Sequence, residues 1–278
     1  MGDTDTARAV EAGTGVAAAC GLTVEDALVL HASNKVTLRL APCDVVARVA
    51  PPGDESPLFE LELARRLVAA GCPVAGPDRR VEPRVYERDG FGVTLWTYHA
   101  PTASHGLTPG AYADGLARLH AGMREVRHDA PHFTERVAQA QQLVADHDRT
   151  PALAPADRTL LADTLRTLRR AVSSWGAPEQ LLHGEPHPGN VLITADGPLF
   201  VDLETCCHGP VEFDLAHAPE AVGARYPALE RELLHLCRVL ALAVATTWRW
   251  DVKDRHPDGR ELGERWLARI RAERGMSA

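Results

Sequence analysis

Leu181-Leu182-His183-Gly184-Glu185-Pro186-His187-Pro188-Gly189-Asn190-Val191-Leu192-Ile193, followed by Leu199-Phe200-Val201-Asp202-Leu203-Glu204, is the part of the chain around which the rest is organised. Short apolar runs flank a segment rich in Gly and Pro that carries His, Glu and Asn, and an acidic residue closes the last run. That order predicts strand, loop and strand, with polar groups displayed at one spot. Glu185 is a carboxylate suited to taking a proton from a hydroxyl. Asn190 and Asp202 are hard oxygen ligands for a divalent cation such as Mg²⁺, which keeps waters and phosphate oxygens as its remaining ligands. A base beside such ligands is the equipment of phosphoryl transfer.

The pattern continues into Gly209-Pro210-x-x-x-Asp214-Leu215-Ala216. In order, spacing and flanking apolar residues, these segments resemble the C-terminal lobe signature of the aminoglycoside phosphotransferase family, relatives of protein kinases that phosphorylate small molecules. The resemblance implies an α+β, bilobal protein-kinase-like fold. Residues 1–100 would form a small antiparallel-sheet, nucleotide-binding lobe ending in a hinge, and residues 101–278 a mostly helical catalytic and substrate-binding lobe. It implies transfer of the γ-phosphoryl group of ATP or GTP, with Mg²⁺, to a hydroxyl of a small molecule, either an antibiotic or a metabolite. Antibiotic resistance or self-protection is one use of such chemistry. Asn190 and Asp202 match the family's metal-binding pair, His183 its loop histidine, and Asp214 a buried acid that binds loop backbone amides.

One departure matters: the family's catalytic Asp is Glu185 here. Glutamate retains the chemistry but moves the oxygens by roughly 1.5 Å unless the loop compensates, and a misplacement of about that size costs on the order of 10²-fold. The competing reading is therefore a nucleotide-binding but catalytically impaired pseudokinase that acts as a scaffold or regulator.

With 278 residues, 45% of them hydrophobic, the chain buries a full core in one bilobal unit or two modest domains. The start, Met1-Gly2-Asp3-Thr4-Asp5, has acids where a signal peptide needs positive charge, and the longest apolar run, Val239 to Ala245, is too short to span a bilayer. Six cysteines without C-x-x-C spacing read as reduced thiols, which together point to a cytoplasmic protein with no membrane partner. The net charge of −8 argues against a nucleic-acid partner and is compatible with a cationic acceptor. Nothing in the chain states its oligomeric state.

Taken in order, Asp5 to Cys20 is Ala-rich and predicts a helix ending at Gly21. Its Gly13-Thr14-Gly15-Val16-Ala17-Ala18 fits a loose dinucleotide fingerprint but lacks the preceding strand and the following acid. Short β runs follow at Ala27–Leu30, Val36–Leu40 and Val45–Val49, the first two linked by His31-Ala32-Ser33-Asn34-Lys35. Ser33 and Asn34 resemble the family's counterpart of the kinase glycine loop, where backbone N–H groups and a hydroxyl meet phosphate oxygens. Arg48 stands mid-strand where kinase-like proteins carry the lysine that grips the α- and β-phosphates. Only Lys35 and Lys253 are lysines, and Lys35 is the one nearby amine able to act in its place.

Leu58 to Gly71 has apolar residues at helical spacing and a Gly stop. By the family pattern Glu60 is the ion-pair partner of Arg48, with Glu62 in reserve. Arg84–Arg88 and Gly92–Tyr98 predict a hairpin through Asp89-Gly90. The resemblance makes Trp96 to Tyr98 the hinge whose backbone amides bind the purine. Beyond Pro101 the chain reads as mainly helical, with helices near Glu135–Asp148, Ala156–Trp175, Tyr226–Trp250 and Arg260–Arg274. His120 lacks a sequence partner and reads as structural, and Glu204, two residues from Asp202, is an auxiliary for metal or substrate. Pro186 and Pro188 exclude an H-E-x-x-H zinc helix, and neither a G-x-S-x-G elbow nor a Walker motif occurs.

Overall fold

The computed structural model describes residues 3–102 and 107–275; Met1 and Gly2, part of the reading of the chain's start, lie outside them. Along the chain run helix α1 (Asp3–Ala19), strands β1 (Val24–Ala32), β2 (Val36–Pro42) and β3 (Val45–Ala50), helix α2 (Ser56–Ala69), and strands β4 (Tyr86–Arg88) and β5 (Phe91–Thr97). Helices α3 (Pro109–Glu125), α4 (Phe133–Ala145) and α5 (Pro155–Ser173) follow, then strands β6 (Glu179–Leu182), β7 (Val191–Thr194), β8 (Gly197–Phe200) and β9 (Cys207–Pro210). Helices α6 (Val211–Leu215), α7 (Glu220–Gly223), α8 (Arg231–Trp248) and α9 (Gly259–Glu273) complete it. An antiparallel sheet followed by helices is the expected α+β class. Contacts divide the chain into two units, Met1–His128 with Gly189–Thr205, and Asp129–Pro188 with Cys206–Ala278.

In the first unit the sheet has the order β1-β2-β3-β5-β4, antiparallel throughout. Side chains alternate across each strand, so Val36, Leu38 and Leu40 of β2 and Val45, Ala47 and Val49 of β3 share one fully buried face. Ala9, Ala12 and Val16 of α1 join the same core, their spacing setting one helix stripe against it. The opposite face carries Thr37 and Arg48, paired across β2 and β3. The β4–β5 turn places Asp89 at φ 52° and Gly90 at φ 85°, the left-handed pair a two-residue hairpin needs. The β7–β8 hairpin belongs to this unit and is tied by its Phe200 to Pro73 and Ala75, with backbone bonds of 2.8 and 3.0 Å.

In the second unit, Leu161, Leu165 and Leu168 of α5 and Leu233, Leu240 and Val244 of α8 belong to one buried cluster. Phe133 of α4 and Phe213 of α6 meet within it, ring centroids 5.1 Å apart. The helix expected from Tyr226 begins instead at Arg231. Pro227 disfavours a helical conformation at Tyr226, and Ala228 takes φ 52°, so the periodic pattern is interrupted before it can wind. Among the described residues no helix is long and apolar enough to cross a membrane.

Candidate functional site

The first unit gathers a charged cluster on the sheet face turned away from α1. Arg48 is half-buried, its Nη1 donating to Glu60 Oε1 and its Nη2 to Asp202 Oδ1 at 2.6 Å. Glu60 lies on the buried stripe of α2, where Leu61, Ala64 and Leu67 set the helix face, and is only 2% exposed. Its Oε1 also accepts the backbone N–H of Leu203 at 3.1 Å, so one carboxylate joins β3 to the segment after β8. The ion pair expected between Arg48 and Glu60 is present, whereas the reserve candidate Glu62 is exposed to solvent.

Asp202 has φ 67°, a left-handed conformation that costs a non-glycine residue about 1–3 kcal/mol and persists where surrounding bonds hold it. Asn190 immediately precedes β7, and Val201 N–H, just after β8, donates to its carbonyl at 3.0 Å. Pairing of Val191 with Phe200 thus brings Asn190 and Asp202 to the same open end of one hairpin. Both offer oxygen donors, the hard ligand type that Mg²⁺ prefers. Among the described residues no three His, Cys, Asp or Glu side chains form a metal-holding group. A pair of oxygen donors completed by phosphate and water fits a Mg²⁺ held with its nucleotide, and does not fit an all-protein cage.

Burial pushes the Glu60 carboxyl up to about 6, against the opposing pull of Arg48 and Lys35 and with help from Asp202 and Glu204. Burial works to lower the Arg48 guanidinium, but the carboxylates of Glu60 and Asp202 outweigh it and hold Arg48 above its ordinary value. Lys35 is buried at the end of the β1–β2 turn, where its Nζ pairs with Glu204 and lies 4.0 Å from Asp54. Ser33 and Asn34 in the same turn are exposed, and Ser33 N–H donates to the Lys35 carbonyl at 3.0 Å.

At the end of β5, Trp96 is buried and its Nε1 donates to Thr94 Oγ1 at 2.8 Å. Tyr98 N–H donates to the Asp44 carbonyl at 3.2 Å, and the Arg39 guanidinium stands 4.1 Å from the Tyr98 ring centroid. The amides at this candidate hinge are therefore bonded within the first unit: Thr97 N–H also donates, to Gly76.

Glu185 belongs to the second unit, on the loop that leaves β6. Asp214, fully buried, accepts His183 N–H at 2.9 Å and Gly184 N–H at 2.8 Å, which is the amide-binding role the resemblance implies. Gly184 takes φ 89°, a conformation that favours glycine, so the turn after β6 is built by sequence and anchored by a charge. Glu185 Oε1 accepts from Arg136 Nη2 at 2.5 Å, both side chains about a quarter exposed. Arg136 was not legible in the sequence: it sits on α4, 49 residues upstream, with no motif around it. Burial pushes His217 down to about 4, with Glu185 and Asp214 opposing, and its Nε2 is buried with no hydrogen-bond partner among the described residues. Burial likewise pushes the Cys207 thiol up, beyond the reach of ionisation at neutral pH.

The fold has many relatives among solved structures. Amicoumacin kinase hAmiN, solved with AMP-PNP, Ca²⁺ and Ami, superposes with a TM-score of 0.73 at 12% identity, over 98% of this chain and 96% of that one. A choline/ethanolamine kinase family protein from Mesorhizobium loti gives 0.68 at 18% identity, over 97% and 94%. Aminoglycoside phosphotransferase APH(3'')-Id from Streptomyces rimosus gives 0.63 at 20% identity, over 88% and 99%. At such identities the likeness establishes the protein-kinase-like fold. A comparison with curated protein sequences finds no match. A family model does match, over residues 29–240, and spans the charged cluster, the Glu185 loop and Asp214. On that span, which exceeds half of its length, the chain belongs to the phosphotransferase enzyme family.

Proposed function

We propose that this protein transfers the γ-phosphoryl group of ATP or GTP, with Mg²⁺, to a hydroxyl of a small molecule. The observation that carries the reading is Asp202, held in a left-handed conformation at the hairpin end beside Asn190 and bound to an Arg48 that Glu60 clamps. In this reading Asn190 and Asp202 hold the metal, which when bound neutralises charge on the phosphate oxygens. Ser33 and Asn34 border the phosphates, and Trp96 to Tyr98 border the purine. Glu185, fixed by Arg136, orients the acceptor hydroxyl and takes its proton. By role rather than by contact, residues 1–100 serve the nucleotide and residues 101–278 the catalysis and the acceptor. Catalysis rests on positioning and charge neutralisation, which supply most of the acceleration in phosphoryl transfer.

The acceptors to try first are those of the fold relatives: amicoumacin, aminoglycosides, choline and ethanolamine. The chain's net charge of −8 suits the cationic members of that set. The reaction belongs in the cytoplasm, where nucleotide is abundant, and serves either antibiotic inactivation or metabolism. The test is incubation with Mg-ATP or Mg-GTP and each acceptor, read as a mass gain of one phosphate. No transfer to any of them, with neither nucleotide raising the melting temperature, would remove the proposal. The second reading, a nucleotide-binding pseudokinase, draws on the Arg136 guanidinium occupying Glu185 Oε1. It requires a melting shift with nucleotide, no transfer, and a Glu185→Ala variant that behaves as wild type in cells.

A further inference from the structure

We infer that Lys35, rather than Arg48, is the cation that grips the β- and γ-phosphates of the nucleotide, while Arg48 is the clamp that fixes Glu60 and Asp202. The inference rests on the phosphotransferase reading and narrows it. A guanidinium binds phosphate best through two N–H groups of its fork. Arg48 has spent both ends of that fork, Nη1 on Glu60 and Nη2 on Asp202, and its Nε is buried with no partner among the described residues. Turning either end toward a phosphate would strand a carboxylate, and Glu60 is almost wholly buried.

Lys35 has the opposite character. It is one of two lysines in the chain and it is 8% exposed, although it sits at a hairpin turn where an ammonium normally reaches water at no cost. Burying an ammonium is costly unless it is paired, and here it is paired with Glu204 and lies near Asp54. Lys35 is the turn residue just before β2, and its amine pairs with Glu204, two residues after the Asp202 that Arg48 holds. The amine therefore reaches, from the β1–β2 turn, the segment that holds Asp202. An ammonium is a compact point charge on a flexible stem, and it can leave Glu204 for a phosphate oxygen without breaking the Arg48 clamp. Four carboxylates (Asp54, Glu60, Asp202 and Glu204) face two cations (Lys35 and Arg48) in this cluster, and that excess of negative charge suits a divalent ion arriving with the nucleotide.

The test compares binding of Mg-ATP, Mg-GTP and AMP to wild type, Lys35→Met and Arg48→Met by calorimetry, with melting temperatures recorded for each. Lys35→Met is expected to weaken the triphosphate by about 10- to 100-fold, the loss of one hydrogen bond to a charged group, while AMP binding stays within about two-fold. Arg48→Met is expected to lower the melting temperature and to weaken AMP and triphosphate alike. A second measurement needs no variant. An acyl-phosphate derivative of ATP transfers its acyl group to an amine beside the terminal phosphates, forming an amide and releasing ATP, and the peptide carrying Lys35 should be labelled and protected by excess Mg-ATP. Wild-type affinity in Lys35→Met, or an unlabelled Lys35 in a protein that binds Mg-ATP, overturns the inference and leaves the phosphotransferase reading standing. Failure of wild type to bind either triphosphate overturns that reading, and the inference with it.

Discussion

Replacing Glu60 by Gln tests whether the central ion pair stabilises the fold or only positions groups. Glu60 is 2% exposed, and burial raises its carboxyl from 4.5 to about 6 despite Arg48 beside it. The folded state therefore binds the proton more tightly than the unfolded chain, so stability falls as pH rises between about 4.5 and 6. The ionised form costs about 2 kcal/mol above that window, from 1.36 kcal/mol for each pH unit of displacement. Glutamine is neutral at every pH and keeps an oxygen for Leu203 N–H and Arg48. Glu60→Gln should thus be more stable than wild type by up to about 2 kcal/mol at pH 8, with the gap closing toward pH 4.5. Urea unfolding at stepped pH, followed by circular dichroism, measures the difference directly. A variant less stable by about 3 kcal/mol or more at pH 8, the usual cost of removing one partner of a buried pair, would show instead that the ionised pair stabilises the fold. Loss of nucleotide binding alongside unchanged or higher stability would mark the pair as a positioning device.

Three other perturbations test separate parts of the molecule. Asp214→Ala leaves the buried N–H groups of His183 and Gly184 without their acceptor and should cost about 2–6 kcal/mol in chemical denaturation, with any transferase activity falling alongside. His217 is held neutral by burial, with its pKa pushed down from 6.5 to about 4, so it contributes stability at neutral pH that is lost as pH falls through that window. His217→Gln should remove up to about 3 kcal/mol of this acid sensitivity, and parallel stability curves for variant and wild type between pH 7 and 4 would contradict it. Gly122→Ala puts a methyl 2.3 Å from Cys72 Sγ and should destabilise by about 1–3 kcal/mol, with Cys72→Ala in the same chain restoring most of the loss in melting temperature.

Features whose physics is local, or whose spacing is distinctive, could be read before any coordinates. Alternation located β2 and β3, helical periodicity located α2, and Asp89-Gly90 announced its hairpin because two adjacent residues there take positive φ. The cluster of His183 to Asn190 with Asp202 and Asp214 carried the resemblance to the family, and the matching family model spans it. Which charges meet is a matter of packing between distant elements. Arg48 and Asp202 are 154 residues apart and Lys35 and Glu204 are 169 apart, and no local rule ranks one such pairing above another. Arg136 looks like any helix-surface arginine until α4 sets it against Glu185. The boundary at Arg231 turned on Pro227 and Ala228 rather than on the apolar pattern that follows them. Periodicity reports which face of an element avoids water, whereas an ion pair depends on where two elements distant in sequence are packed, and only the folded chain fixes that.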